Sequence, residues 1–360
     1  MRFTFFGSFH PDYPRNVVIR KGLARLGSSI RVCRTSPSLK AWARYPLLLG
    51  KYRFATDIIF VPEFCQKDMP LARLLGFLSS KKVIFDPLAA RYETKVVDWK
   101  RFPSDSPGAW WNRQIDLAAF AAADLILADT AAHKAYYCHA YGVKPEKIEV
   151  LPLGYDDELF TPSADSGPVV SEESGGTFRV LFFGSFLPLH GAEVIVAAAK
   201  IVADRDPSIE FRMVGSGQTL ERTRAAAVGL KNIEFCRWLT ADELRRAVDE
   251  ADVCLGIFGR TEKARRVVPH KIFQSMGLGK AVVTARTPAA GEIFRDRETI
   301  LFCDEPLAES LAATILELKN DPGLRRDIGR RCRELMRDRY SPPAIGRALL
   351  EMIRKHFGKG

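Results

Sequence analysis

Through both halves of the chain, apolar runs of four to seven residues alternate with longer segments whose apolar positions recur every three or four residues. Apolar runs of strand length with few polar interruptions suit a parallel sheet covered by helices on both faces. In the first half the runs predict strands at Arg2–Phe6, Ile30–Cys33, Asp57–Val61, Lys82–Phe85, Leu125–Ala128 and Ile148–Leu151. In the second half they predict Arg179–Phe183, Glu210–Val214, Ile233–Cys236, Val253–Ile257, Ala281–Thr284 and Ile300–Phe302. The helical segments carry their own start signals: Thr240 and Glu243 form a capping box, and Ser341-Pro342 sets an N-cap before a proline at the first helical position. Between the halves, "TPSADSGPVVSEESGGT" at 161–177 has the Ser, Gly, Pro and acidic content of a linker.

The expected fold class is therefore α/β, with two Rossmann-like doubly wound domains. An N-terminal domain is expected over 1–160, a linker over 161–177, a C-terminal domain over 178–340, and a final helix over 341–360 that can cross back to the first domain. Each half opens alike, with "FTFFGSF" near the start and "VLFFGSF" 177 residues later. In an open parallel sheet, ligands lie beyond the C-terminal strand ends, and a small residue at the first turn lets them reach backbone N–H groups. Gly7, Ser8, Gly184 and Ser185 are thus candidates to line one cleft between facing domains; the plainer reading is a pair of tight turns.

Length supports two domains: 360 residues exceed one ordinary core, and 47% hydrophobic content suits a globular chain. No apolar run reaches spanning length, and the first residues lack the layout of a signal peptide, so a soluble cytoplasmic protein is expected. Seven scattered cysteines without a C-x-x-C pair support neither a disulfide framework nor a zinc site. Charge changes the picture more. The net +11 resides in the first 100 residues, where 18 Lys or Arg face seven Asp or Glu. Such a domain suits an anionic partner, but no nucleic-acid reader motif accompanies it, so nucleic acid is not expected. "SLKAWARYPLLLGKYRF" at 38–54 mixes Trp42 and three leucines with Lys40, Arg44, Lys51 and Arg53. It reads either as a segment for the inner face of an anionic membrane or as a helix lying on its own domain.

Candidate chemistry is densest over 251–294. A strand ending in Gly256-Ile-Phe-Gly259 opens into a loop with Arg260, Glu262, Lys263, Arg265 and Arg266, then Pro269-His270-Lys271 and a helix. Cations at the C-terminal end of a strand, beside a helix N-terminus, suit a diphosphate; a solvated basic loop is the alternative. Gln274 lies one turn after Lys271 on the same helix face, and its amide can both donate to and accept from a ribose or sugar hydroxyl.

On "VLFFGSFLPLHGAEVIVAAAKIV", "FRMVGSGQTLE", "VPHKIFQSMGLGKAVVTARTPAAGEIF" and "ETILFCDEPLAESLAATILEL", the chain from about 178 to 355 resembles the retaining GT-B glycosyltransferases of family 4. The first half is similar more loosely, through "FFGSF", "AAADLILADTAAHKAYY" and "KIEVLPLGYDDELF". The resemblance implies a UDP- or GDP-linked sugar held by its diphosphate. It also implies transfer with retention, no metal or further cofactor, and a lipid-linked or cell-envelope glycan as acceptor, with the acceptor bound by the N-terminal domain and the nucleotide sugar by the C-terminal domain. It places Gly184 and Ser185 at the phosphates, Trp238 beside the base and Gln274 on the ribose, with positive charge from Lys271 and Arg266.

The chain departs from the family pattern in places. His190 stands where a lysine is usual, either touching phosphate, in protonated form, or capping the helix. In the E-x7-E motif Gln274 replaces the second glutamate and Arg266 the first, with Glu262 the nearest earlier carboxylate. Asp86 stands where relatives place a histidine, either as a base or hydroxyl partner or as a cap for the turn at Pro87. Trp110 and Trp111 read as an acceptor lid or as core, and His133 as structural. These departures keep open a protein of the same fold that binds nucleotide sugar without turnover. A nicotinamide-dependent oxidoreductase is disfavoured by the missing G-x-G-x-x-G.

Overall fold

A computed structural model of the protein describes residues 1–162, 176–305 and 307–358; the linker expected at 161–177 thus lies, for 163–175, outside the described residues. Among the described residues the chain forms two parallel six-stranded sheets. The first comprises β1 (Arg2–Gly7), β2 (Ser29–Arg34), β3 (Ile58–Val61), β4 (Lys82–Phe85), β5 (Leu125–Ala128) and β6 (Ile148–Val150), in the order β2-β1-β3-β4-β5-β6. The second comprises β7 (Phe178–Phe183), β8 (Ile209–Val214), β9 (Ile233–Cys236), β10 (Val253–Leu255), β11 (Ala281–Ala285) and β12 (Leu301–Cys303), in the order β12-β11-β10-β7-β8-β9. The strands follow the apolar runs because a strand covered on both faces buries every side chain, and β3, β5 and β11 are buried throughout. β10 is two residues shorter than its run, since Gly256 and Ile257 leave the regular ladder and Ile257 N–H bonds the Thr284 hydroxyl at 3.0 Å.

The strand orders locate where each sheet reverses direction. In the first sheet this switch lies between β1 and β3, in the second between β7 and β10. Loops at the C-terminal ends of those strand pairs diverge and leave a crevice, the usual ligand position in open α/β sheets.

The chain divides into one unit of Met1–Leu153 with Ser341–Gly360 and another of Gly154–Tyr340. The boundary falls at Leu153 rather than at residue 160, because Tyr155 and Phe160 pack against Gly277 in the second unit. The helix Pro342–Phe357 lies on the helix Pro14–Arg25, where Gly22 and Gly346 let the two backbones approach so closely that either Cβ would collide. Ser341 occupies the N-cap position without a capping side-chain bond, whereas Thr240 and Glu243 form both bonds of the capping box. In the second unit Phe182, Phe186, Ile195, Phe211, Val253 and Val283 form the central core. All seven cysteines are free thiols, and five of them are buried.

Candidate functional site

In the second unit, β7 ends at Phe183 and the chain turns at Gly184 with φ +139°, a conformation that disfavours any residue with a Cβ. A Cβ there would lie 3.0 Å from Lys271 Nζ and 3.5 Å from His190 Cε1, so the glycine keeps open the space at which both side chains end. The 3₁₀ turn Pro188–His190 docks on the loop after β10: Phe258 N–H donates to His190 O at 3.0 Å, and Gly259 N–H to Leu189 O at 3.2 Å. Gly191, with φ +61°, allows this contact, since a Cβ would strike the Phe258 backbone.

Lys271 is the second residue of the helix His270–Gly277, which begins beyond β10. Its ammonium sits 3.8 Å from the centroid of the Phe182 ring, is 6% exposed, and makes no hydrogen bond among the described residues. Burial pushes its pKa well below the usual lysine value. An anion arriving at Gly184 would reverse that penalty by pairing with the ammonium. His190 is also buried, and its Nδ1 meets the Ser185 carbonyl oxygen. Burial, then repulsion from Lys271, depresses its pKa strongly, which opposes the protonated form read from the sequence.

The remaining sequence-derived positions are less concentrated. Trp238 is 47% exposed beyond β9 and donates through Nε1 to the Ser216 hydroxyl at 2.7 Å. Arg260 turns to Glu305 in a two-pronged pair at 2.7 and 2.6 Å, which commits it to an intrachain carboxylate. Glu262 is exposed, and Arg266 and Gln274 are half-buried on the loop and helix flanking Lys271. Gly184, His190 and Lys271 form the compact centre.

The corresponding turn of the first unit is closed from within. Gly7 has φ +136°, and the Ser8 N–H that follows donates to Asp68 Oδ2 at 2.9 Å. Arg44 holds the other oxygen of this fully buried carboxylate at 2.7 Å. Asp86 is 1% exposed and pairs with the equally buried Arg15 at 2.5 Å. It is therefore neither a solvent-facing base nor a cap for Pro87; it is the counter-ion of Arg15, whose guanidinium also donates to the Leu151 and Pro152 carbonyls. His133 lies between Asp129 at 2.6 Å and Glu93 at 3.3 Å. Burial opposes its charge, but the two carboxylates outweigh burial and hold its pKa up at about 9. Trp110 and Trp111 are exposed neighbours rather than core. Sequence reasoning missed the partner roles of Arg15, Asp68 and Arg44, although the basic excess of the first 100 residues signalled that cations gather there.

Residues 177–321 match the family model described as glycosyl transferases group 1. The D-inositol 3-phosphate glycosyltransferase of Pseudarthrobacter chlorophenolicus is 27% identical over 223 residues, which cover 57% of this chain and 50% of that protein. The protein of the same name from Acidothermus cellulolyticus is 30% identical over 224 residues, covering 58% and 48%. The matches thus span about half the length of these curated relatives. Among solved structures, Anabaena HepE in complex with UDP-glucose superposes with a TM-score of 0.73 at 15% identity, covering 99% of this chain and 100% of that one. Sucrose-phosphate synthase from Thermosynechococcus elongatus gives 0.71 at 17% identity, covering 99% of each. At these identities the structural likeness establishes a shared fold.

Proposed function

We propose that the chain, whose residues 177–321 match the glycosyl transferases group 1 model and whose fold is GT-B, transfers a sugar from a UDP- or GDP-linked donor, with retention, to a lipid-linked or cell-envelope glycan acceptor. One observation carries the donor half of this reading: the buried Lys271 ammonium beside the Gly184 turn, which makes no hydrogen bond among the described residues. As the bond to the sugar breaks, negative charge develops on the diphosphate, and a fixed cation there lowers the barrier without a metal ion. The His190 ring, held by the Ser185 carbonyl, shapes the turn around that phosphate. Trp238 flanks the base, and the Gln274 amide meets the ribose.

The test is a thermal-shift panel of UDP, GDP and their sugar conjugates against wild type and Lys271→Ala. A shift with one nucleotide that disappears in the variant, with slow release of the sugar, supports the reading. Equal shifts in both proteins would remove Lys271 from the site. A second reading rests on Gln274 and Arg266 at the two positions of the usual paired glutamates: binding without turnover. Binding of a donor whose sugar is never released, with or without acceptor, would favour it.

The helix Ala41–Lys51 exposes Trp42, Leu47 and Leu49, with Phe54 following and Lys40, Lys51 and Arg53 nearby. This pattern supports peripheral attachment to an anionic membrane, and no helix among the described residues is long and apolar enough to cross one. Charge reversal at Lys51 and Arg53 is expected to reduce sedimentation with anionic vesicles; undiminished sedimentation would count against attachment.

A further inference from the structure

The first unit holds a cavity of about 800 Å³ at its own switch point, walled by the loops after β1 and β3. That volume suits a small phosphorylated molecule or a headgroup. Its lining is unusually cationic: Lys40, Arg44, Lys67, Arg91 and Lys95 face a single carboxylate, Glu63. Arg44 is committed to Asp68, but the other four have no carboxylate within ion-pair distance among the described residues. Arg91 Nε is buried without a hydrogen bond. Burial, then the charges of Arg91 and its neighbours, depress the pKa of both Lys67 and Lys95. Glu63 does not offset them: burial, then Asp86, raises its pKa to about 9, and Asn16 donates to one of its oxygens at 2.8 Å. On the same wall Phe64 is half exposed at φ +60° and stands edge-on to Tyr13, with centroids 5.7 Å apart. An aromatic held in a disfavoured backbone conformation is the kind of strain that gathers at ligand sites.

We propose that this cavity receives the acceptor through a phosphate group, held by Lys67, Arg91 and Lys95, with the acceptor's sugar or polyol ring against Phe64. The assignment rests on the proposed glycosyl transfer, with the donor in the second unit and the acceptor in the first. Repelling cations cost stability when empty, and a phosphate dianion satisfies several of them at once. A soluble sugar phosphate and a phosphate-bearing lipid present the same group.

The test is calorimetric titration of inorganic pyrophosphate into the full chain carrying Lys271→Ala, which removes the anion site of the second unit. A remaining site is expected, weakened at least tenfold by adding K67Q and K95Q and retained with K67R and K95R. The glutamine pair is expected to melt no lower than its parent, because two mutually repelling charges are gone. Competition by glucose 6-phosphate identifies a soluble source, and competition by phosphatidylcholine vesicles containing phosphatidic acid a lipid source. No site left after Lys271→Ala, no effect of K67Q and K95Q, or competition by neither phosphate would overturn the assignment. Nucleotide-sugar binding by K67Q/K95Q, with Lys271 present, reports separately on the donor reading and is expected to be unchanged.

Discussion

The two units contain nearly the same turn with opposite electrostatics. Gly7 and Gly184 end the first strand of their sheets at φ +136° and +139°, each followed by Ser-Phe. In the first unit the Ser8 N–H is met by Asp68, and the buried Arg15 by Asp86, so both of these groups have an intrachain partner. In the second unit the group ending at the turn is Lys271, buried and without a hydrogen bond or ion pair among the described residues. A repeated backbone motif thus specifies where a ligand can sit, while the neighbours supplied by other loops decide whether the place is already filled. In the first unit the cations without a carboxylate partner among the described residues, Lys67, Arg91 and Lys95, line a cavity beside Ser8.

The contrast is broken or sharpened most strongly by Lys271→Ala. Turnover is expected to fall about 10²–10³-fold, the cost of removing one preorganised charge at a leaving group. The ligand-free protein should melt no lower than wild type, because an unsatisfied buried ammonium has been deleted; a drop of several degrees would mean that Lys271 is structural. Asp86→Asn should do the reverse, destabilising the fold by about 3–5 kcal/mol in chemical denaturation because Arg15 stays buried without its counter-ion. A near-neutral result would show that the Arg15 pair is dispensable and the first unit less fully closed.

Glycine replacements give a smaller and more discriminating test. Gly7→Ala and Gly184→Ala each incur the strain of a Cβ at that φ, about 1–3 kcal/mol. At Gly7 the new Cβ would lie 2.9 Å from Cys65 Sγ, inside a closed site, so the effect is expected in the melting temperature alone. At Gly184 it meets the flexible end of Lys271, so donor affinity should fall as well. Equal loss of donor affinity in both variants would erase the distinction.

The smallest effect is a pH slope. Glu63 and His133, both in the first unit, have folded pKa values raised to about 9 from ordinary values of 4.5 and 6.5. Groups raised in this way stabilise the fold fully below their unfolded values and lose that contribution as pH rises toward 9. Stability should therefore fall from about pH 4.5 upward through Glu63 and from about pH 6.5 through His133, up to about pH 9, by no more than about 1.4 kcal/mol per pH unit for each titrating group. Denaturant midpoints across that range check the slope, and His133→Gln should flatten it.

Much of the architecture was legible. The twelve apolar runs coincide with the twelve strands to within two residues at either end, since burial on both faces leaves the same mark wherever the strand lies. Gly184 and Lys271 could be nominated because Gly-rich turns and cations after strand ends have a physical meaning in an open sheet, and His190 through the family resemblance alone. The partners of Asp86 and Arg260 were not legible. Asp86 meets an arginine 71 residues earlier and Arg260 a glutamate 45 residues later, and local pattern contains nothing about either.

By itself, then, the sequence determined the class of fold, the two strand–Gly-Ser–helix turns and the basic character of the first unit. These depend on periodicity and composition, which act between residues close in the chain. Only the tertiary structure decided that Asp68, 60 residues from Ser8, closes one turn while Lys271 waits at the other. It likewise decided that His190 is buried against the Ser185 carbonyl and that cations of the first unit surround a cavity. The physical reason is that charge pairing and desolvation depend on which groups share a low-dielectric space, and folding brings those groups together from distant parts of the chain.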